Sequence, residues 1–181
     1  METYRIHDQS SVYFVTYSIV EWLPVSVTDK ACLIVADSLT QCHREKGLRI
    51  NAFVIMPTHM HMIVFDEQFD NERLKKSLDS FRRFTGRQLA EYCSENMPMA
   101  FRDALVHSAG HDRERQFWQD SRHPEGLHTQ KFWSQKWDYL HANPVRKGLV
   151  SYSADWRFSS GAFYDDEREY CGEVPITQID W

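Results

Sequence analysis

The sequence predicts an α+β fold, with one antiparallel sheet carrying its helices on one face. Three observations predict it. Two β-rich apolar runs, Ala52–Met56 and Met60–Phe65, flank a short Pro57-Thr58 break, as two adjacent strands joined by a tight turn do. A third run, Ser11–Val20, is equally rich in β-branched and aromatic residues. Between and after these runs stand long stretches whose apolar residues recur at helical spacing. At 181 residues, 42% apolar and 14% aromatic, the chain is long and apolar enough for one folded domain with its own core.

In order, residues 1–10 read as a polar arm and Ser11–Val20 as the first strand. Trp22–Val27, interrupted by Pro24, connects it onward. Thr28-Asp29 can cap a helix carrying Ala31, Leu33, Ile34, Ala36 and Leu39, which Gly47 ends near Lys46. Leu48–Met56 and His59–Phe65 are the second and third strands. Asp70–Asn96 is the longest helical pattern, with Leu74, Leu78, Phe81, Leu89 and Tyr92 as its apolar stripe and Gly86 as an interior weakness. Residues 97–128 read as irregular. Within them Gln116–Asp120 is the best short strand, and His107, His111, His123 and His128 read as surface residues. Thr129–Asn143 is an amphipathic helix that Pro144 stops. The aromatic segment Trp156–Tyr164 packs back on the core, so the core spans about 11–164 and an acidic tail fills 165–181. Strand, helix, two adjacent strands, helix and later strand make β-α-β-β-α-β, the ferredoxin-like plan.

Composition narrows the function. The net charge of −5 argues against indiscriminate nucleic-acid binding. Charge is uneven, however: Arg73, Lys75, Lys76, Arg82, Arg83 and Arg87 stand against the single acid Asp79 within residues 73–87. Such a basic helix face on an acidic protein is either solvated surface or a phosphate-binding face. No run approaches the ~20 apolar residues that span a bilayer, and the N-terminus lacks a signal core. A cytoplasmic protein without membrane contact is expected. The four cysteines, Cys32, Cys42, Cys93 and Cys171, show no C-x-x-C spacing and are expected to be reduced thiols.

The chemistry-bearing stretch is His59-Met60-His61. Residues i and i+2 of a strand face the same way, so both imidazoles lie on one side of the sheet and Met60, Met62 and Val64 on the other. Two such imidazoles are half of a metal site. An H-x-H is common by chance, so its weight depends on what joins it. Tyr139 and Asn143 stand i, i+4 on one helix face. Alone, a tyrosine there is half-buried packing and an asparagine before proline a helix-terminus residue.

Two longer words carry more. Val54-Ile55-Met56-Pro57-Thr58-His59-Met60-His61 and Asp138-Tyr139-Leu140-His141-Ala142-Asn143-Pro144-Val145-Arg146-Lys147-Gly148-Leu149-Val150, with Trp156-Arg157-Phe158-Ser159-Ser160 downstream, resemble the single-tyrosine HUH transposases, and within them the REP-associated tyrosine transposases. Thr58 stands where that family commonly has Asn. The resemblance runs from about residue 11 to 164. It implies a ferredoxin-like nuclease acting on single-stranded DNA, with Tyr139 as nucleophile and His59, His61 and Asn143 as ligands of Mg²⁺ or Mn²⁺. The implied substrate is a repetitive extragenic palindrome folded as a hairpin, the implied product a 5′-phosphotyrosine and a free 3′-OH, and the implied state a monomer, with a dimer as in related insertion-sequence enzymes as the alternative. The residue types suit this chemistry. An anionic phosphodiester resists attack until a cation neutralises charge, and a phenol must lose its proton as it attacks. Lys75, Lys76, Arg82, Arg83 and Arg87 could hold backbone phosphates, and Trp118 or Trp137, where exposed, could stack on bases. Two other readings stay open: a rolling-circle or relaxase-type nuclease with the same site, and a non-catalytic hairpin-binding module that would not need His59, His61 and Tyr139 together.

Overall fold

The computed structural model describes residues 11–111, 113–120, 124–166, 169–170, 172 and 174–179. Four strands form one antiparallel sheet: β1 (Val12–Ser18), β2 (Leu48–Met56), β3 (His59–Asp66) and β4 (Glu125–Gly126). Their order across the sheet is β2-β3-β1-β4, the ferredoxin-like arrangement. Helices α1 (Asp29–Lys46), α2 (Asn71–Asn96), α3 (Met99–His107) and α4 (Gln130–Arg146) complete the fold.

Local chemistry sets the boundaries. Thr28 accepts the Ala31 amide at the start of α1, and Asp70 accepts those of Glu72 and Arg73 at the start of α2. Gly47 ends α1 at φ +68°, a left-handed conformation that costs glycine no side-chain clash. Pro57-Thr58 joins β2 to β3 with Met56 opposite His59.

The alternation of β1, β2 and β3 divides the core in two. Tyr13, Val15, Tyr17, Phe53, Ile55, Met60, Met62 and Val64 pack against α1 and α2. Val12, Phe14, Ala52, Val54, Met56, Ile63 and Phe65 face the other way, against Leu140 and the partly buried Phe132, Trp133 and Trp137 of α4. The expectation of helices on one face thus holds for α1 and α2 only; α4 lies on the opposite face. The reason is compositional: the second face of the sheet is as apolar as the first and needs its own cover.

The fourth strand is Glu125–Gly126, paired with Phe14 and Tyr13, not Gln116–Asp120. The latter meets β1's end through one bridge, Ile19 to Trp118. Val20 N donates to Phe117 O and Gln119 N to Ser18 O, while side chains take two other carbonyls: Arg82 Nη2 donates to those of Trp118 and Gln119, and Gln116 Nε2 to that of Trp118. The Trp118 indole donates to Thr85 Oγ1 and lies where a side chain at Gly86 would begin, 3.3 Å from that Cβ position. The mid-helix glycine is the seat of a buried tryptophan. Residues 99–107, expected to be irregular, form α3, whose Leu105 is fully buried. Pro144 lies inside α4 rather than after it; in the last turn the missing amide forfeits one bond, and the helix runs on to Arg146.

The outer edge of β2 is covered by the segment after α4. Ile55 N donates to Phe158 O, Ser160 N to Phe53 O and Thr177 N to Ile50 O. The aromatic stretch therefore does pack back on the core, and it blunts an edge strand. Cys32, Cys42 and Cys93 are buried free thiols, with burial pushing Cys32 and Cys93 up to about 12; Cys171 lies outside the described residues. Among the described residues no helix is long and apolar enough to cross a membrane.

Candidate active site

His59 and His61 lie on the α4 face of the sheet, as their spacing requires. On β3, His61 stands between Thr16 of β1 and Val54 of β2, and His59 between Ser18 and Met56. Their rings are 4.8 Å apart between centroids. Tyr139, on α4, meets His61 edge-on at 5.4 Å. The structure therefore brings together side chains 78 positions apart in sequence, since 139 − 61 = 78. Phe14 floors the cluster, stacked on His61 at 5.2 Å and edge-on to Tyr139 at 6.2 Å. Tyr139 is 41% exposed, so its hydroxyl end is open to a ligand.

Each imidazole is held through Nδ1 by a threonine. Thr16 Oγ1 lies 2.7 Å from His61 Nδ1 and Thr58 Oγ1 lies 3.0 Å from His59 Nδ1. Thr58 thus has a role at the position where the resembling family commonly has Asn. His61 Nε2 is buried with no hydrogen-bond partner. A buried polar atom without a partner is costly unless something else is to meet it. The hydrogen bond on the far ring nitrogen is the usual device that orients a metal-binding histidine. Burial drives His61 down to about 3, helped by the charges of His59 and Lys136, and burial with Lys147 also lowers His59. Both rings are held in the neutral form that a metal requires.

Asn143 is buried one turn beyond Tyr139. Its Nδ2 donates to the Tyr139 carbonyl at 3.0 Å, which leaves the amide oxygen, the ligating atom of a carboxamide, outside that bond. Among the described residues no cluster of three or more His, Cys, Asp or Glu could hold a metal. The paired groups here are two imidazoles, a donor type that suits a divalent transition metal.

Two cations on α4 flank Tyr139. Arg146 lies over its ring, 5.5 Å from the centroid. Lys136 lies 4.8 Å from the Phe14 centroid and pairs with Glu125 at 2.7 Å. That pair explains the two-residue β4: it places Glu125 beside Phe14 to steady Lys136. Sequence reasoning missed Phe14, Thr16, Lys136 and Arg146. The signals were there, a lone threonine in the apolar first strand and a lysine three residues before Tyr139 on the same helix face.

The basic residues of α2 lie elsewhere. α2 covers the other face of the sheet, so Lys75, Lys76, Arg82, Arg83 and Arg87 are across the sheet from Tyr139. Arg82 is corrected from a phosphate contact to a fastener, since its guanidinium holds the Trp118 and Gln119 carbonyls and the Asp120 carboxylate. Lys75, Lys76, Arg83 and Arg87 are exposed. Arg83 and Arg87 line a groove of about 590 Å³ with Arg113 and Arg115, which the sequence did not single out. Trp118 is buried and Trp137 packs on His141 and Tyr164, so neither is a free stacking surface.

The site is thus a ferredoxin-like sheet with paired imidazoles on one face and a helix-borne tyrosine above them. No family model matches the chain. In sequence it is 25% identical over 144 residues to the REP-associated tyrosine transposase of Escherichia coli (strain K12), covering 80% of this chain and 68% of that protein. In fold it is similar, with a TM-score of 0.62 and 20% identity, to a REP-associated tyrosine transposase whose structure is bound to a REP hairpin, over 100% of this chain and 95% of that one. The resemblance read over about residues 11–164 is thus met by a sequence similarity over four fifths of the chain and a similar fold over all of it.

Proposed function

We propose that this chain is a metal-dependent single-stranded DNA endonuclease and strand transferase acting on hairpin-forming palindromic repeats through a 5′-phosphotyrosine. One observation carries the reading: the His61 ring touches both His59 and Tyr139, and its Nε2 is buried without a hydrogen-bond partner. The similarity to transposases in sequence and fold supports it.

In this reading Tyr139 Oη attacks phosphorus. The new Oη–P bond forms as the P–O3′ bond breaks. The phenol proton leaves through solvent and a proton returns to the departing 3′-oxygen, so charge and atoms balance. The ester energy is kept, and a 3′-OH of another strand can reverse the step as strand transfer. Arg146, over the Tyr139 ring, would meet the incoming phosphate and offset its negative charge. Phe14 and the Trp133–Asn51 bond hold the helix at its distance from the sheet. His59, His61 and Asn143 would hold Mg²⁺ or Mn²⁺, which supplies polarisation of a phosphoryl oxygen. Lys75, Lys76, Arg83, Arg87 and the groove arginines would take phosphates of a paired stem on the far side of the sheet.

Covalent trapping tests this. Labelled single-stranded hairpins from repeats flanking the gene are incubated with Mg²⁺ or Mn²⁺ and run on denaturing gels. The reading requires a protein–DNA adduct that is lost with Tyr139→Phe and with EDTA. Tight hairpin binding with no adduct in any metal would instead make this a non-catalytic DNA-binding protein.

A further inference from the structure

Trp22 is 58% exposed, the most exposed tryptophan among the described residues, and it borders the candidate site. Its ring lies edge-on to His59, 6.1 Å between centroids. The backbone there is unusual: Glu21 at φ 50° and Trp22 at φ 54° are consecutive left-handed residues, and neither is glycine or asparagine. Bulky residues avoid that region.

The turn around them is anchored. Val20 and Val25 are buried, Val20 N donates to Phe117 O, and Trp22 N donates to Ile19 O. Ile19 N donates to Thr58 O and Ser26 N to Pro57 O. The loop is thereby tied on both sides to the turn that leads into His59. A single exposed apolar side chain is ordinary on a protein surface. An indole projected from a strained, doubly anchored turn against a candidate metal ligand needs a reason outside the fold, because folding would be easier with glycine at this position.

We propose that Trp22 is a base-stacking platform, holding one nucleobase of the unpaired strand beside the phosphate that Tyr139 attacks. This rests on the proposed reading of the site. A strand whose phosphate lies among His59, His61 and Tyr139 must carry a neighbouring base past the rim, and on the His59 side that rim is Trp22. Stacking takes any base, since each has a π-face. The platform therefore sets the position of the strand rather than its sequence. Trp118 and Trp137 cannot do this, being occupied within the protein.

The test uses full-length protein with Tyr139→Phe, which binds without reacting. The probe is a fluorescein-labelled palindromic hairpin oligonucleotide with unpaired flanks in Mg²⁺, and a set in which each flank base in turn is made abasic. Adding Trp22→Ala is expected to weaken binding about tenfold, with Trp22→Phe recovering most of it. One abasic position should cost the parent about tenfold and cost the Trp22→Ala protein nothing more. Where the alanine variant melts lower than the parent, the phenylalanine variant decides: it must keep the dependence on that same abasic position. Unchanged affinity in Trp22→Ala, or an abasic penalty at every position that survives it, overturns the platform alone. If the Tyr139→Phe parent binds none of these oligonucleotides, the nucleic-acid reading of the site falls and Trp22 with it.

Discussion

Trp133 donates its indole N–H to Asn51 Oδ1 at 2.9 Å, pinning the helix that carries Tyr139 to the strand beside the one that carries the imidazoles. Asn51 sits where the β2–β3 register slips, between Ile50 and Ala52. Such an irregularity re-aims a side chain. Its Nδ2 also donates to the Thr177 carbonyl and its own carbonyl accepts from Tyr164 Oη. Three parts of the chain, α4, the aromatic segment and the C-terminal stretch, converge on this one residue. Asn51→Leu removes the bonds that Asn51 makes to the Trp133 indole and to the Thr177 carbonyl. It should destabilise the protein by about 2–4 kcal/mol in urea unfolding. A loss under about 0.5 kcal/mol, the range of ordinary surface changes, would mean the junction does not fasten α4.

The proposed metal site and the proposed nucleophile should separate. His61→Ala removes an unpartnered buried nitrogen and should abolish Mn²⁺ binding measured by calorimetry. Tyr139→Phe leaves His59, His61 and Asn143 in place and should bind Mn²⁺ about as well as the wild type while forming no DNA adduct. Thr16→Val, which frees His61 Nδ1, should weaken the metal by about 10- to 100-fold, the usual effect of losing an orienting partner. Equal affinity in wild type and Thr16→Val would remove Thr16 from the site.

How far the site was readable depends on the kind of signal. His59 and His61 share a face because a strand has period two, and Tyr139 and Asn143 share one because a helix has period 3.6; both follow from local geometry. The two groups meet because the sheet is apolar on both faces, and the pattern of Val54, Ile63 and Phe65 already carried that information. The fourth strand was not readable. Its two residues, Glu125 and Gly126, have no β character, and the ion pair that Glu125 makes with Lys136 beside Phe14 joins parts of the chain that no local pattern links. Conversely, Gln116–Asp120 looks like a strand because Phe117 and Trp118 are core residues, although its Trp118 and Gln119 carbonyls answer to the side chains of Arg82 and Gln116. The basic stripe of α2 was visible as a stripe. Which of its arginines was committed to the fold depended on a segment some 36 residues away.

Acid should weaken the metal-free protein before its carboxylates titrate. Burial lowers His61 to about 3 and His141 to about 4, the latter bonded to Ser160 Oγ at 2.8 Å. In the unfolded chain both return to about 6.5. Below that pH the unfolded state takes up protons that the folded state refuses, so stability falls as pH drops from about 6.5 and is lost progressively toward 3–4. Each group contributes up to about 1.4 kcal/mol per pH unit within its window. His141→Asn should flatten the slope of unfolding free energy against pH between 6.5 and 4 by about half of the combined effect. An unchanged slope would place His141 in its charged form.

The two classes of arginine on α2 make opposite predictions. Arg83 and Arg87 are exposed along the groove, whereas Arg82 binds the Trp118 and Gln119 carbonyls. Arg83→Gln with Arg87→Gln should leave the melting temperature nearly unchanged. It should weaken binding of a hairpin stem and reduce the slope of log K against log salt by about 1.8, since each phosphate contact on a duplex contributes about 0.9. Arg82→Gln should do the reverse, lowering stability by about 1–3 kcal/mol, because the Gln119 carbonyl loses its side-chain donor while that of Trp118 keeps Gln116. Its salt slope should match the wild type, because its charge is already spent on the fold. If Arg82→Gln lowered the slope and spared stability, the hairpin stem would have to displace the 116–120 segment to reach α2. The stem would then lie against Trp118 rather than along the outer arginines.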